Sequence, residues 1–130
     1  MIDKVAWVLL EDGRLLGTRS HGKDAFYLPG GKREPGESDI DALVREIAEE
    51  LTVALVPDTF HHVGTYEAPA HGRADATVRM TCYTADYVGM LRPSAEIAEI
   101  AWLTHGDRHR VSAANRLVLD TLHTQGLLIP

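Results

Sequence analysis

Four glutamates and one arginine lie close enough in the sequence to act together chemically. Glu49 and Glu50 follow Glu46 by three and four positions, so on a helix the three side chains share one face. Like charges at this spacing repel, and only Arg45 is close enough to offset part of the repulsion. Glu37 adds a carboxylate just before the helix, where the helix dipole favours negative charge. Surplus carboxylate oxygens are the ligands that hard divalent cations such as Mg²⁺ prefer.

The alternative interpretation of this acidic face is an ordinary solvated surface, because most charge clusters on helices contact only water. The loop before the helix favours a ligand instead. Gly30 and Gly31 allow the backbone to approach a ligand closely or to adopt positive φ, and Pro29 stiffens the entry to this pair. A glycine pair can present carbonyls or amides to a metal-bound phosphate, but loops are rich in glycine for other reasons as well.

Together, the glutamates, the arginine and the glycine form a spaced pattern that resembles the Nudix box. The box is a glycine, five residues, a glutamate, seven residues, arginine-glutamate, an aliphatic residue, any residue, two glutamates, any residue, a glycine and an aliphatic residue. The matching residues are Gly31, Glu37, Arg45, Glu46, Ile47, Glu49, Glu50 and Val53. Eight of the nine defined positions match over 23 residues, and Thr52 replaces the second glycine. The sequence therefore resembles a Nudix hydrolase.

This resemblance implies an enzyme that uses Mg²⁺ or Mn²⁺ as its cofactor. Nudix hydrolases cleave the diphosphate linkage of nucleoside diphosphate derivatives by attack of water on phosphorus. The short chain is most similar to compact members that act on nucleoside triphosphates. One alternative is an ADP-ribose or nucleotide-sugar pyrophosphatase, because Pro69 lies near the position where ADP-ribose-cleaving members carry a proline. Another alternative is a non-catalytic domain that binds or senses a nucleotide, although such domains typically lose one or more of the box glutamates.

The resemblance also assigns roles to individual residues. The metal ligands that it implies are Gly30, through its carbonyl, Glu37, Glu46, Glu49 and Glu50. The catalytic residues that it implies are Arg45, Glu46, Glu49 and Glu50. One helix glutamate would orient or deprotonate water, and the arginine would hold the carboxylates in place. The sequence does not assign the base to a particular glutamate, because carboxylates this close titrate as a coupled set.

Three residues are candidates for binding the substrate: Arg19, Gly31 and Glu96. Arg19 ends a predicted strand and could meet a phosphate, although an exposed strand-end arginine is the alternative. Glu96 lies where some Nudix members carry an additional metal-binding or base carboxylate in a loop. The single cysteine, Cys82, alternates with polar residues on a predicted strand and is expected to be a small buried hydrophobic residue, not a nucleophile.

Helices must position these side chains. Apolar periodicity predicts a helix over Asp39–Leu51, and Ser38 with Asp41 fits a capping box at its start. A second predicted helix starts at Ser112, and Gly126 is its expected stop.

Strands are predicted before and after the first helix in the sequence. They are Val5–Leu10, Leu15–Arg19, Phe60–Tyr66, Thr77–Tyr87 and Ile97–Leu103. A turn at Asp12-Gly13 joins the first two strands, residues 20–37 form an irregular loop, and Glu67–Asp75 forms another loop. This order suggests a mixed sheet covered on both faces. The resemblance implies the same α+β class of fold, a Nudix-type α/β/α sandwich with a mixed central sheet.

The composition bounds the remaining possibilities. The chain has 130 residues, with 19 acidic and 13 basic side chains and a net charge of −6. We expect a single domain over residues 1–130, and a cytoplasmic location because one cysteine cannot form a disulfide scaffold. No apolar run is long enough for a membrane span, and the acidic surplus argues against a nucleic-acid polymer as partner. The expected partner is a small nucleotide, with a homodimer as the family-based expectation.

Overall fold

The computed structural model describes residues 1–70 and 72–130. The helices are α1 (Asp39–Leu51) and α2 (Ala113–Thr124), with 3₁₀ turns at Pro57–Thr59 and His105–Arg110. The strands are β1 (Ile2–Trp7), β2 (Leu10–Glu11), β3 (Arg14–Ser20), β4 (Gly30–Gly31), β5 (Ala54–Leu55), β6 (His61–Ala70), β7 (Arg73–Thr84), β8 (Tyr87–Val88) and β9 (Ile97–Leu103).

The strands form a mixed arrangement, as predicted. In a four-stranded sheet of order β4-β1-β7-β6, β1 runs parallel to β7 and the other neighbours are antiparallel. A second sheet of order β2-β3-β9 is antiparallel, and β5 pairs with β8 in a short ribbon.

Alternate residues of the strands enter two cores on opposite sides of the sheets. Ala6 of β1 and Leu15 of β3 belong to the core that contains buried residues of α2. Val5 and Leu16, their neighbours in sequence, belong to the core that contains the apolar stripe of α1. Successive side chains of a strand point to opposite faces, so the sheets lie between the two helices. This arrangement confirms the expected α/β/α sandwich.

Local signals predicted α1 correctly at both ends. The Ser38 hydroxyl accepts a hydrogen bond from the Asp41 amide at 3.1 Å, and the Asp41 carboxylate accepts one from the Ser38 amide at 3.3 Å. At the other end, Thr52 adopts the left-handed conformation with φ of 61°, which is the conformation that glycine favours. Thr52 therefore keeps the backbone shape of the glycine that it replaces, at a cost of about 1 to 2 kcal/mol.

The predicted loop at Glu67–Asp75 is wrong. Strand β6 continues to Ala70 and β7 begins at Arg73, so the two strands form one long antiparallel pair. Pro69 is tolerated because β6 is an edge strand, where a missing amide hydrogen breaks no ladder, and the register shifts beside it. His71, within the predicted loop, lies outside the described residues.

Smaller differences concern the amino-terminal strands. The single strand predicted at Val5–Leu10 is divided into β1 and β2, and the loop predicted at 20–37 contains β4, which pairs with β1. Strand β9 matches its predicted limits, α2 follows Ser112, and Gly126 has a positive φ of 77° just beyond α2. Among the described residues, no helix is both long and apolar enough to cross a membrane.

Candidate active site

Three carboxylates converge at the acidic end of a cavity beside β1 and α1. Glu46 and Glu50 come from α1, and Glu96 comes from the segment just before β9. One carboxylate oxygen from each of them lies within 4.8 Å of the other two. Glu96 is exposed, Glu46 is half-buried and Glu50 is buried. Three negative charges this close repel strongly, so the cluster needs a proton or a cation to be stable.

Backbone hydrogen bonds hold the segment that carries Glu96 against the end of α1. The Ser94 amide donates to the Glu50 carbonyl at 2.8 Å, and the Arg92 amide donates to the Leu51 carbonyl at 3.0 Å. These bonds satisfy carbonyls that the end of a helix otherwise leaves unpaired. The helix terminus therefore positions Glu96, which is 46 residues farther along the chain than Glu50.

Glu50 is the buried member of the cluster, with 4% of its surface exposed. Burial raises its pKa far above the ordinary value, and the neighbouring carboxylates of Glu46 and Glu96 act in the same direction. The Gly30 amide, which donates to Glu50 Oε1 at 3.3 Å, opposes this shift. No salt bridge from a described cation reaches Glu50. A buried carboxylate beside two others, without a salt bridge to a described cation, fits the oxygen-rich donor set of Mg²⁺ or Mn²⁺.

Arg45 organises the carboxylates around the cluster. Its Nε and Nη2 donate to the two oxygens of Glu37, each at 2.8 Å, and its Nη1 donates to Glu46 Oε1 at 2.9 Å. The Arg45 hydrogen bonds hold the pKa of Glu37 down to about 2. Glu37 also accepts from the Glu34 amide at 2.7 Å, so it fixes the loop before α1 and lies outside the three-carboxylate cluster.

Glu49 lies on the same side of α1 as Arg45 but outside the three-carboxylate cluster. Its side chain is 54% exposed and its Oε2 lies 3.7 Å from Arg45 Nη1. It does not belong to the group of carboxylates within 4.8 Å of one another. The structure therefore places Glu49 at the outer edge of the acidic face.

Two glycines bring the loop backbone against the cluster. Gly30 has φ of 149°, and a Cβ atom there would lie 2.1 Å from the Val5 carbonyl oxygen. At Gly31 a Cβ would lie 2.7 to 2.9 Å from the carboxylate of Glu46. The first glycine permits the pairing of β4 with β1, and the second leaves room for a cluster carboxylate.

A cavity of about 350 Å³ extends from the cluster into the fold. Glu50, Glu96, Gly30 and Gly31 line its acidic end. The remaining lining includes half-buried Tyr27 together with Met80, Pro69 and buried Asn115. The Asn115 side chain is held in place, accepting from the Leu28 amide at 2.9 Å and donating to the Ser112 hydroxyl at 2.5 Å. The volume and the mixture of apolar walls with fixed polar groups suit a small organic ligand.

Arg19, a candidate for phosphate binding, is paired within the fold instead. Its Nε donates to Glu99 Oε1 at 2.6 Å, and its Nη1 donates to the Lys23 carbonyl at 3.1 Å. Arg19 does not line the cavity.

Lys4 lines the cavity, although it is not among the site residues predicted from the sequence. Burial lowers its pKa, Lys32 acts in the same direction, and Glu50 and Glu46 oppose the shift. The signal was available in the alternation of β1, because Lys4 occupies the same face as Ala6, but the predicted strand began at Val5. Asn115 was also missed, since a polar residue in a helix is most often exposed.

Known proteins are similar to this chain in sequence and in fold. The family model for the NUDIX domain matches residues 2–121. A MutT-like protein of Streptomyces ambofaciens is 32% identical over 97 residues, covering 75% of this chain and 59% of that protein. The human 8-oxo-dGDP phosphatase NUDT18 is 32% identical over 84 residues, covering 62% of this chain and 24% of that protein. The chain thus spans less than two thirds of the length of either relative.

Solved structures of other proteins are similar to this chain in fold. The solution structure of the E. coli ORF135 protein has a TM-score of 0.76 at 26% identity, covering 97% of this chain and 91% of that chain. The crystal structure of the MutT protein from Methanosarcina mazei Go1 has a TM-score of 0.76 at 21% identity, covering 96% of this chain and 94% of that chain. With a family match over most of its residues, the chain belongs to the Nudix family.

Proposed function

We propose that the protein is a Mg²⁺-dependent pyrophosphohydrolase that cleaves the diphosphate linkage of a nucleoside triphosphate or another nucleoside diphosphate derivative. The observation that carries this proposal is the convergence of Glu46, Glu50 and Glu96 at one end of a ligand-sized cavity. The relative named as an 8-oxo-dGDP phosphatase supports a nucleotide substrate. Mn²⁺ can replace Mg²⁺ in such an oxygen-rich site.

Each group in the site has a task in this reaction. Glu46, Glu50 and Glu96 would hold the metal, with Glu49 and the Gly30 carbonyl as further ligand candidates. Bound metal supplies charge neutralisation at the phosphate oxygens and lowers the pKa of coordinated water. One cluster carboxylate accepts the proton of the attacking water. Arg45 keeps Glu46 in place, and it holds Glu37 so that the loop stays closed against α1.

The test is hydrolysis of a substrate panel by the wild-type protein and by Glu50→Gln. The panel contains nucleoside triphosphates, dinucleoside polyphosphates, nucleotide sugars and ADP-ribose, each with Mg²⁺, with Mn²⁺ and with EDTA. Glutamine has the shape of glutamate without its charge or basicity, so we expect turnover to fall about 10²- to 10⁴-fold. Glu11→Gln, an exposed change on β2, is the matched control and should keep wild-type turnover. Equal turnover by Glu50→Gln would refute the carboxylate assignment.

A second candidate is a pyrophosphatase for ADP-ribose or nucleotide sugars. The observation that favours it is that Pro69 lines the cavity. The same panel separates the two candidates, because the preferred substrate is the one with the highest kcat/KM. A nucleotide sensor without catalysis predicts binding but no turnover. Thermal melts detect that outcome, since a ligand at 100 times its Kd adds about 2.7 kcal/mol to the free energy of unfolding.

A further inference from the structure

Lys4 is a cation that β1 turns toward the cavity. It alternates with Val5, whose side chain enters the core beside α1, so Lys4 shares the opposite face with Ala6. It is half-buried and lines the cavity. Lysine is rarely buried unless an opposite charge accompanies it. Lys4 keeps only part of its surface in water, so an opposite charge at the cavity would stabilise its ammonium.

The described residues do not supply that partner at salt-bridge distance. Glu50 and Glu46 attract the Lys4 ammonium from farther away, and Lys32 repels it. The ammonium forms no salt bridge with any part of the chain that the structure describes. Two other cations differ in this respect, because Arg45 is bound to Glu37 and Arg19 is bound to Glu99. Lys4 thus keeps its charge available to a ligand.

The position of this charge specifies where on a ligand it acts. The ammonium lies 5.5 Å from the centre of the Tyr27 ring, and the carboxylates of Glu50 and Glu46 attract it. It therefore lies at the junction between the acidic end of the cavity and the part lined by Tyr27, Met80 and Asn115. A nucleotide with its scissile linkage at the acidic end places the phosphate nearest the nucleoside at this junction.

We propose that Lys4 binds the phosphate nearest the nucleoside and makes the cavity select nucleotides over nucleosides, even without metal. This inference rests on the proposed function for the direction in which the substrate lies. A hydrogen bond between a lysine ammonium and a phosphate is charge-assisted, and it gains strength where water is partly excluded. Lys4 is then a substrate-binding residue, separate from the carboxylates.

The test compares ligands that differ only by this phosphate. The four deoxynucleoside monophosphates and their parent nucleosides are titrated by calorimetry into the metal-free protein in EDTA. A monophosphate has no diphosphate linkage for the acidic end, so its advantage over the nucleoside reports the Lys4 contact. We expect the wild-type protein to bind at least one monophosphate about 10- to 100-fold more tightly than its nucleoside. Lys4→Met keeps the apolar stem and should remove that advantage while leaving nucleoside binding within about twofold.

Two further variants test whether the positive charge at position 4 is responsible for the phosphate advantage. Lys4→Arg keeps the positive charge and should keep most of the phosphate advantage. Arg14→Met removes a charge from an exposed site at the start of β3 and should change neither affinity. The inference is overturned if Lys4→Met retains the wild-type advantage, if it weakens nucleoside and monophosphate binding equally, or if the wild-type protein shows no advantage.

The result is independent of hydrolysis. If the substrate panel shows no turnover while the phosphate advantage depends on Lys4, the proposed function fails and the phosphate site stands. If turnover is found and the advantage does not depend on Lys4, the enzyme stands and this inference fails.

Discussion

Substitution by alanine at the two adjacent glycines before α1 should affect different properties of the protein. In Gly30→Ala, the new Cβ would lie 2.1 Å from the Val5 carbonyl oxygen and 2.9 Å from the Ala6 Cα, both of which are backbone atoms of β1. The backbone of a paired strand cannot move away cheaply, and φ of 149° adds strain for any residue with a Cβ. We expect Gly30→Ala to lower the free energy of unfolding by about 3 to 5 kcal/mol.

Gly31→Ala meets a side chain instead of a backbone. The new Cβ would lie 2.7 Å from Cδ of Glu46, so the carboxylate must move by about 0.7 Å to reach the 3.4 Å of ordinary contact. The end of a glutamate can make this movement, and we expect the free energy of unfolding to fall by only about 1 kcal/mol. The displaced carboxylate belongs to the acidic cluster, so Mg²⁺ affinity should fall about 10- to 100-fold and turnover about 100-fold.

Urea unfolding followed by tryptophan fluorescence measures the free energy of unfolding. Calorimetric Mg²⁺ titration measures Mg²⁺ affinity, and steady-state kinetics measures turnover. Gly106→Ala is the matched control, because its Cβ would have only the Thr104 hydroxyl nearby, at 3.6 Å. Gly106→Ala should leave the free energy of unfolding, Mg²⁺ affinity and turnover unchanged. The reasoning is refuted if Gly31→Ala destabilises the fold as much as Gly30→Ala, or if it leaves Mg²⁺ affinity and turnover at wild-type values.

Three other substitutions or treatments test separate features. Thr52→Gly should raise the free energy of unfolding by about 1 kcal/mol, since relief of the left-handed strain exceeds the loss of the 3.3 Å bond from the Thr52 hydroxyl to the Met90 carbonyl; a lower urea midpoint would contradict this. Cys82 is fully buried and burial raises its pKa to about 12, so a thiol reagent should label it only after denaturation, and rapid labelling of the native protein would be inconsistent with this burial. Arg108 holds the pKa of Asp120 down to about 2, so the pair contributes stability above the ordinary carboxyl pKa that is lost as pH falls toward 2. Asp120→Asn should therefore lower the free energy of unfolding by about 0.5 kcal/mol at pH 7, a small value because the pair is largely solvated. The difference in stability between the wild-type protein and this variant should shrink between pH 4 and pH 3, and a constant difference would contradict the assignment.

Local signals explain why α1 and its carboxylates could be predicted from the sequence. The helix period, the capping box and the spacing of the glutamates are all properties of neighbouring residues. A β-branched residue such as Thr52 disfavours the left-handed conformation at the end of the helix. The structure retains that conformation, with the Thr52 amide donating to the Ala48 carbonyl at 3.2 Å. The surrounding fold therefore overrides a local preference of about 1 to 2 kcal/mol.

The complete site depends on contacts that no local pattern encodes. Glu96 joins the cluster because the segment before β9 is bonded to the end of α1. The inward direction of Lys4 follows from where β1 begins and which strand it pairs with. The length of β6 was underestimated because proline and glycine usually interrupt strands, whereas an edge strand tolerates proline. Sequence spacing thus identified the carboxylates of α1, and strand register and loop docking determine their partners.

The distribution of charge explains how an acidic protein can accept a phosphate ligand. Arg45 neutralises Glu37 and part of Glu46, so the loop and helix are held together without help from a ligand. Glu50 and Glu96 have no such partner among the described cations, and a fold shaped for stability alone would have paired or removed them. Their repulsion makes the acidic end of the cavity unfavourable to a bare diphosphate linkage and favourable to a linkage that binds together with divalent metal. The excess of negative charge weakens binding of a nucleic-acid polymer. In the proposed function, the same negative charge selects a small nucleotide that binds together with metal.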